Sequence, residues 1–504
     1  MPNHLKIIKN SNDALLILAF LALVSIVFYY NSRNINLRIA DNGCGPQSYV
    51  AQKNKPENFK KDFSPSLFTL YDNSVCMWVY PYLAKYWEIS PSKTIYPYMF
   101  IQTLIFFLSL SFLTQALFQN KLVTFICMII VALGNLAGLN LSRFGSGYGS
   151  LLSLPLFYGY ANAFRFFSFG FFLKNKYIPC FLFLALSIYC HVNMGFFALA
   201  FIGAYMLYRP HLIRGRSLFY GIFIFVVVVT PHILSIISNT ATASDGIPVD
   251  QWVKSTRIFS LHWYPLTMKL FAHNAHREFF PFLLLCIFFF VALRYQDIRN
   301  EKNVKIIVGS IACLIMSLFG IIFSDIYPIP FLIRISLQRS TGLIGFFGVL
   351  YLTYYLFKKA ETGNLFIVFL AAYSLLILVF AKPGIAILPL FLLLHSDIKE
   401  GQFGLIKVSS NKLKTLTYLY YTTGILLLFV TLASVVKYDL KANGLAPIAE
   451  MIFRHLWSPL QYFSPLYGFE PRGSTEDFDL AYGIEINKSC RIPCFFASTG
   501  TEQR

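Results

Sequence analysis

Over 504 residues the chain is 56% hydrophobic and 13% charged, with 53 Phe and 31 Tyr. A soluble domain carries about 25% charge, so the composition excludes an ordinary soluble fold. It predicts an all-α polytopic membrane protein with about 11–13 membrane-embedded helices and larger extracytoplasmic loops and tail.

The net charge of +19 would raise nucleic acid as a partner for a soluble protein. Here the basic residues stand in short gaps between apolar runs. No zinc-finger cysteine pattern or aromatic RNA-reading signature accompanies them, so membrane lipids, and no nucleic acid, are expected as partners. The opening MPNHLKIIKN carries Lys6 and Lys9 ahead of the first apolar run. No small-x-small cleavage site follows that run, which therefore reads as an uncleaved first span.

In chain order the predicted spans are 14–30, 98–118, 122–138, 150–173, 178–190, 194–207, 217–235, 279–293, 306–325, 342–356, 364–380, 384–395 and 415–434. They form a helical transmembrane domain over 1–434, with outer loops at 31–97 and 236–278. An extracytoplasmic C-terminal segment follows at 435–504. With a cytoplasmic N-terminus, the inner pieces are 1–12, 119–121, 174–177, 208–216, 294–305, 357–363 and 396–414. These hold 18 of the 42 Lys and Arg within 66 residues, the bias that keeps basic loops inside.

Between Ile178 and Leu207 there is no Asp, Glu, Lys or Arg. One helix of that length would run about 45 Å against a hydrocarbon core of roughly 30 Å. Both flanks, KNK (174–176) and RPHLIRGR (209–216), are basic and belong on the same side. The segment is therefore predicted to be a hairpin of two short helices turning near Cys190–Asn193. Its tip presents His191 and Asn193 toward the outer surface, where buried polar groups need partners.

Ionisable groups within spans must find water or a partner. Arg165, in YGYANAFRFFSFG, reads either as a fixed cation for an anionic group such as a lipid phosphate, or as a side chain snorkelling toward Lys174 and Lys176. IPFLIRISLQRSTG (329–342) places Arg334 and Arg339 on the outer side, against the usual bias. Arg339 with Ser340 and Thr341 could start a helix and cradle a phosphate, or the stretch could anchor at anionic headgroups. In the second outer loop, His262 beside Trp263 and Tyr264 reads as an interfacial aromatic patch or as the lining of a substrate groove. His273 and His276 are too few for a metal site, and no metal or cofactor is predicted.

A hydroxyl-activating enzyme needs a general base within hydrogen-bond reach. The first outer loop offers Asp41, Asp62, Asp72 and Glu88, with no D-x-D pair among them. Each also reads as a solvated loop acid, and Asp41 and Asp72 as helix N-caps. LSRFGSGYGS (141–150) lacks the Gly-Lys-Ser/Thr of a phosphate-binding loop and reads as a close turn. Of nine cysteines, Cys127, Cys180, Cys190, Cys286 and Cys313 lie in apolar runs as small hydrophobes. Cys44 with Cys76, and Cys490 with Cys494, share polar segments and could pair in an oxidising compartment.

The layout of LILAFLALVSIVFYY, the 31–97 loop, short basic inner loops and the 435–504 tail resembles integral-membrane glycosyltransferases of the GT-C class. It also resembles uncharacterised bacterial multispanning proteins of similar layout. The first resemblance implies transfer of sugar from a polyprenyl-phosphate carrier at the outer face of a bacterial inner membrane. It implies a catalytic acid near the first span, with Asp41 the first candidate ahead of the other loop acids Asp62 and Glu88, and Arg334 or Arg339 at the carrier phosphate. The alternatives are a secondary transporter built on the short helices, or a non-catalytic envelope assembly or export component.

Overall fold

The computed structural model describes residues 16–29, 32, 74–86, 91–136, 157–241, 248–259, 263–264, 286–361, 365–379, 392–393, 402–403 and 406–407. The chain divides into two units, Met1–Gly444 and Leu445–Arg504, and the described residues all belong to the first.

The helices are α1 (Leu16–Tyr29), α2 (Val75–Tyr86), α3 (Pro91–Phe118), α4 (Lys121–Leu136), α5 (Phe157–Leu173), α6 (Tyr177–Cys190) and α7 (Val192–Tyr208). They continue as α8 (Arg216–Ala241), α9 (Val249–Phe259), α10 (Cys286–Tyr295), α11 (Glu301–Ile321), α12 (Pro330–Ile335), α13 (Thr341–Ala360) and α14 (Leu365–Val379). Two-residue strands, β1 (Gln402–Phe403) and β2 (Ile406–Lys407), pair antiparallel.

The protein is an all-α polytopic membrane protein. Tyr96–Phe118, Arg216–Ile237, Glu301–Ile326 and Pro330–Ala360 are long and apolar enough to cross a bilayer. α8 leaves Phe219, Phe223, Val227 and Leu234 more than half exposed, the pattern of a helix facing lipid rather than protein. α13 is the opposite case, buried along most of its length. Its Phe346 ring stacks on Phe166 of α5 at 4.3 Å, and Phe347 meets Phe169 and Phe201 at 5.4 and 5.3 Å. Aromatic pairs of this kind join α5, α7 and α13 into the core.

The charge-free stretch is two helices. α6 ends at Cys190, His191 takes an extended backbone (φ −157°, ψ 109°), and α7 starts at Val192. Gly195 makes the tight return possible, because a Cβ there would sit 2.8 Å from the Ile188 backbone nitrogen.

One end of the bundle collects the basic connections, and its lysines cap helix C-termini. Lys302 Nζ donates to the Ala116 carbonyl at 2.7 Å, and Lys305 Nζ to the Phe172 carbonyl at 3.0 Å. These bonds satisfy carbonyls that a helix end leaves open and place positive charge at the negative end of its dipole. Lys305, wholly buried, also pairs with Glu301 at 3.1 Å and donates to Asn175, whose left-handed backbone (φ 58°) turns α5 into α6.

α2 and α9 were not expected: both fall in segments read as outer loops. VCMWVYPYLAKY and VDQWVKSTRIF are short, and each carries polar residues among its apolar ones. α9 nevertheless packs Val253 with Tyr264 and Ile333, flanked by Trp252 and Trp263. α11 closes in a π turn, Ile322–Ile326, that carries Asp325.

Candidate functional site

At the end of the bundle opposite the basic connections, the chain gathers cations around the α6–α7 break. Arg165 lies in the middle of α5 and is 4% exposed. Its Nη1 is 3.4 Å from Met194 Sδ, one turn into α7, and its guanidinium lies 5.7 Å from the Phe166 ring centre. It therefore turns toward the hairpin tip and does not snorkel to Lys174, whose ammonium sits over Phe112 at 4.3 Å.

His191 stands at the break, with its ring 4.7 Å from that of Tyr158. The neighbouring charges acting on it are Arg339 and Arg165. Asn193 Nδ2 donates to the Arg334 carbonyl at 3.4 Å, tying the tip to the 330–340 segment.

That segment is not one helix. Ser336 adopts a left-handed backbone (φ 55°, ψ 56°), which ends α12 and starts a 3-10 turn over Leu337–Ser340. The non-glycine cost of such a residue, about 1–2 kcal/mol, is met locally by hydrogen bonds from Ser336 N to Leu332 and from its Oγ to Ile333. The break puts Arg334 and Arg339 on different elements. Arg334 lies over Trp252 of α9 at 5.2 Å, while Gln338 Nε2 donates to the Trp263 carbonyl at 3.0 Å. Trp252 and Trp263 stack at 6.1 Å.

The expected phosphate cradle of Arg339, Ser340 and Thr341 needs correction. Ser340 Oγ donates to the Cys313 carbonyl at 2.7 Å and Thr341 Oγ1 to the Gln338 carbonyl at 2.8 Å. Both hydroxyl protons are used to seat the turn against α11 and α13. Gly320 lets the turn approach, since a Cβ there would lie 2.5 Å from Gln338 N. Arg339 is left as the group that projects from this turn.

Arg165 and Arg339 form no ion pair with a described carboxylate, and the Nε of each is buried without a hydrogen-bond partner. A buried cation costs several kcal/mol unless an anion compensates it. Arg165 is such a cation, and with the half-buried Arg339 it forms, near His191, a site suited to a phosphate or carboxylate group. Bidentate guanidinium geometry favours the phosphate.

Of the residues singled out from sequence, Arg165, His191, Asn193, Arg334, Arg339 and Trp263 converge on this end. Asp41, Asp62, Asp72, Glu88, His262, His273 and His276 lie outside the described residues. Among the described residues no cluster of three His, Cys, Asp or Glu could hold a metal.

Sequence reading missed Trp252, Met194 and the pair Arg257–Asp325. Arg257 Nη2 donates to the Asp325 carbonyl at 3.1 Å, and its guanidinium covers Tyr264 at 5.4 Å. The spacing of Val249, Trp252, Val253 and Thr256 is a helical face that could have pointed to α9.

No protein family, curated protein or solved structure matches the chain.

Proposed function

We propose that this protein is a cell-envelope glycosyltransferase that uses a polyprenyl-phosphate-linked sugar at the outer face of a bacterial inner membrane. The observation that carries the proposal is buried Arg165 with half-buried Arg339 near His191, neither cation having a described carboxylate partner. In this reading the basic end faces the cytoplasm and the cation cluster faces outward.

A lipid phosphate docks between the guanidinium groups, with Arg334 and the stacked Trp252–Trp263 at its rim. An acceptor hydroxyl then attacks the anomeric carbon, the bond from that carbon to the phosphate oxygen breaks, and the cations neutralise the departing phosphate. A carboxylate from the first outer segment (Asp41, Asp62 or Glu88) takes the hydroxyl proton.

Transfer of labelled sugar by purified protein tests the reading. The expected result is loss of turnover in Arg339→Gln and in at least one of Asp41→Asn, Asp62→Asn and Glu88→Gln. Full activity in all four would refute it.

One observation favours a second reading, a secondary transporter. Arg165 of α5 reaches Met194, just past the break at His191 between two short helices, the kind of place where discontinuous-helix transporters hold their substrates. Counterflow of an anionic substrate in proteoliposomes, without chemical change, would select it. An assembly or export component would show neither transfer nor counterflow.

A further inference from the structure

α2 is fastened to the hairpin tip by a set of contacts around two cysteines. Ser74 Oγ donates to the Cys190 carbonyl at 2.7 Å, and Tyr98 OH donates to the Cys76 carbonyl at 2.6 Å. Tyr160 OH in turn donates to the Tyr98 carbonyl at 2.8 Å, and Trp78 meets His232 of α8 edge-on at 6.3 Å. Inside this frame Cys76 Sγ lies 3.2 Å from Cys190 Sγ, both residues being buried at 5% and 3% exposure.

We propose that Cys76 and Cys190 close a disulfide that clamps α2 onto the tip of the α6–α7 hairpin. The sulfurs need to approach by roughly 1.2 Å to reach bonding distance. The backbones on both sides are already held by the hydrogen bonds just described. The two residues lie 114 positions apart, so the bond would fix a long loop that spans α3, α4, α5 and α6. The clamp sits on the end away from the basic connections, the end that the charge bias turns to the oxidising compartment.

The chemistry is thiol–disulfide exchange. One cysteine thiolate attacks a sulfur of a disulfide-class oxidant, forms a mixed disulfide and expels one thiolate. The second cysteine then attacks the mixed disulfide, the Cys76–Cys190 bond forms, and the oxidant leaves as two thiols. Two protons and two electrons pass from the cysteine pair to the oxidant. Burial of the pair in the finished fold places this step during assembly, before α2 docks, and shields the bond from reductant afterwards. His191 follows Cys190 directly and Asn193 lies in the first turn of α7, so the clamp holds the stretch of chain that carries them. The inference stands whether or not the chain transfers a sugar.

The full chain is expressed in the inner membrane of a bacterium, the cells are treated with a membrane-permeant maleimide, and the protein is digested without reductant for mass spectrometry. The expected product is a cross-linked peptide pair containing Cys76 and Cys190, two hydrogens lighter than the separate peptides and lost on reduction. Recovery of Cys76 and Cys190 as separate alkylated peptides would overturn the proposal. A Cys76 linked instead to Cys44 would overturn it equally.

Discussion

Arg165→Met separates a binding cation from a structural one, because the two roles give opposite signs for stability. Arg165 is 4% exposed, makes no ion pair among the described residues, and its named contacts are a thioether at 3.4 Å and a phenyl ring at 5.7 Å. An unbranched thioether of similar length fills the same space and removes the desolvation penalty. Replacing buried charge with a fitting apolar side chain is neutral or stabilising by about 1–4 kcal/mol. Unfolding of the ligand-free variant in nanodiscs is therefore expected at an equal or higher denaturant concentration than wild type. Removing the cation from a desolvated phosphate pair costs about 2–5 kcal/mol, a loss of roughly thirty-fold to several thousand-fold in affinity. Titration with a short-chain polyprenyl phosphate reads that loss. A variant that is less stable without ligand and binds the phosphate as wild type does would show Arg165 to be a structural residue, and the reasoning would fail.

Gly320→Ala pushes a methyl group against Gln338 N at 2.5 Å; overpacking of this kind costs about 1–3 kcal/mol. Stability and phosphate affinity should fall together, read by the same unfolding and titration assays. Lys305→Met leaves the Phe172 carbonyl without its buried donor at the other end of the bundle. It should destabilise by about 1–3 kcal/mol, the cost of an unsatisfied buried acceptor, and leave the affinity of the folded fraction unchanged. Sidedness is checked by an impermeant maleimide on intact cells: Tyr327→Cys, exposed near the cation cluster, should label. His211→Cys, exposed at the basic end, should label only after permeabilisation.

The hairpin was legible because its signal is local: thirty residues without charge, bounded on both sides by basic clusters. α7 and α13 and the C-terminal end of α3 fall within a few residues of the expected spans, where hydropathy changes abruptly, as at Phe118 and Tyr208, while α3 begins seven residues before the expected 98–118. α2 and α9 were not legible as helices because their stability comes from docking. Trp252 and Val253 become a helical face only once Ile333 and Tyr264 are beside them.

Arg165 showed in the sequence as an isolated cation, but its direction did not. Either end of α5 lay within reach, and Met194, 29 residues away, marks the one it faces. Ser336 illustrates the remaining difficulty. Nothing in RISLQRS announces a left-handed residue, yet that single dihedral decides that Arg334 and Arg339 approach the site from separate elements. The Cys76–Cys190 contact is non-local in the same sense, and pairing by proximity in sequence favoured Cys44 instead.

The proposed function requires that Arg165 and Arg339 receive a lipid-linked phosphate. Binding of polyprenyl phosphate and of the matching polyprenyl alcohol to the purified full chain, measured side by side with Arg339→Gln, tests it most directly. Wild type is expected to bind the phosphate at least tenfold more tightly than the alcohol, and Arg339→Gln to erase most of that preference. Equal affinity for phosphate and alcohol, or a preference untouched by the substitution, would contradict it.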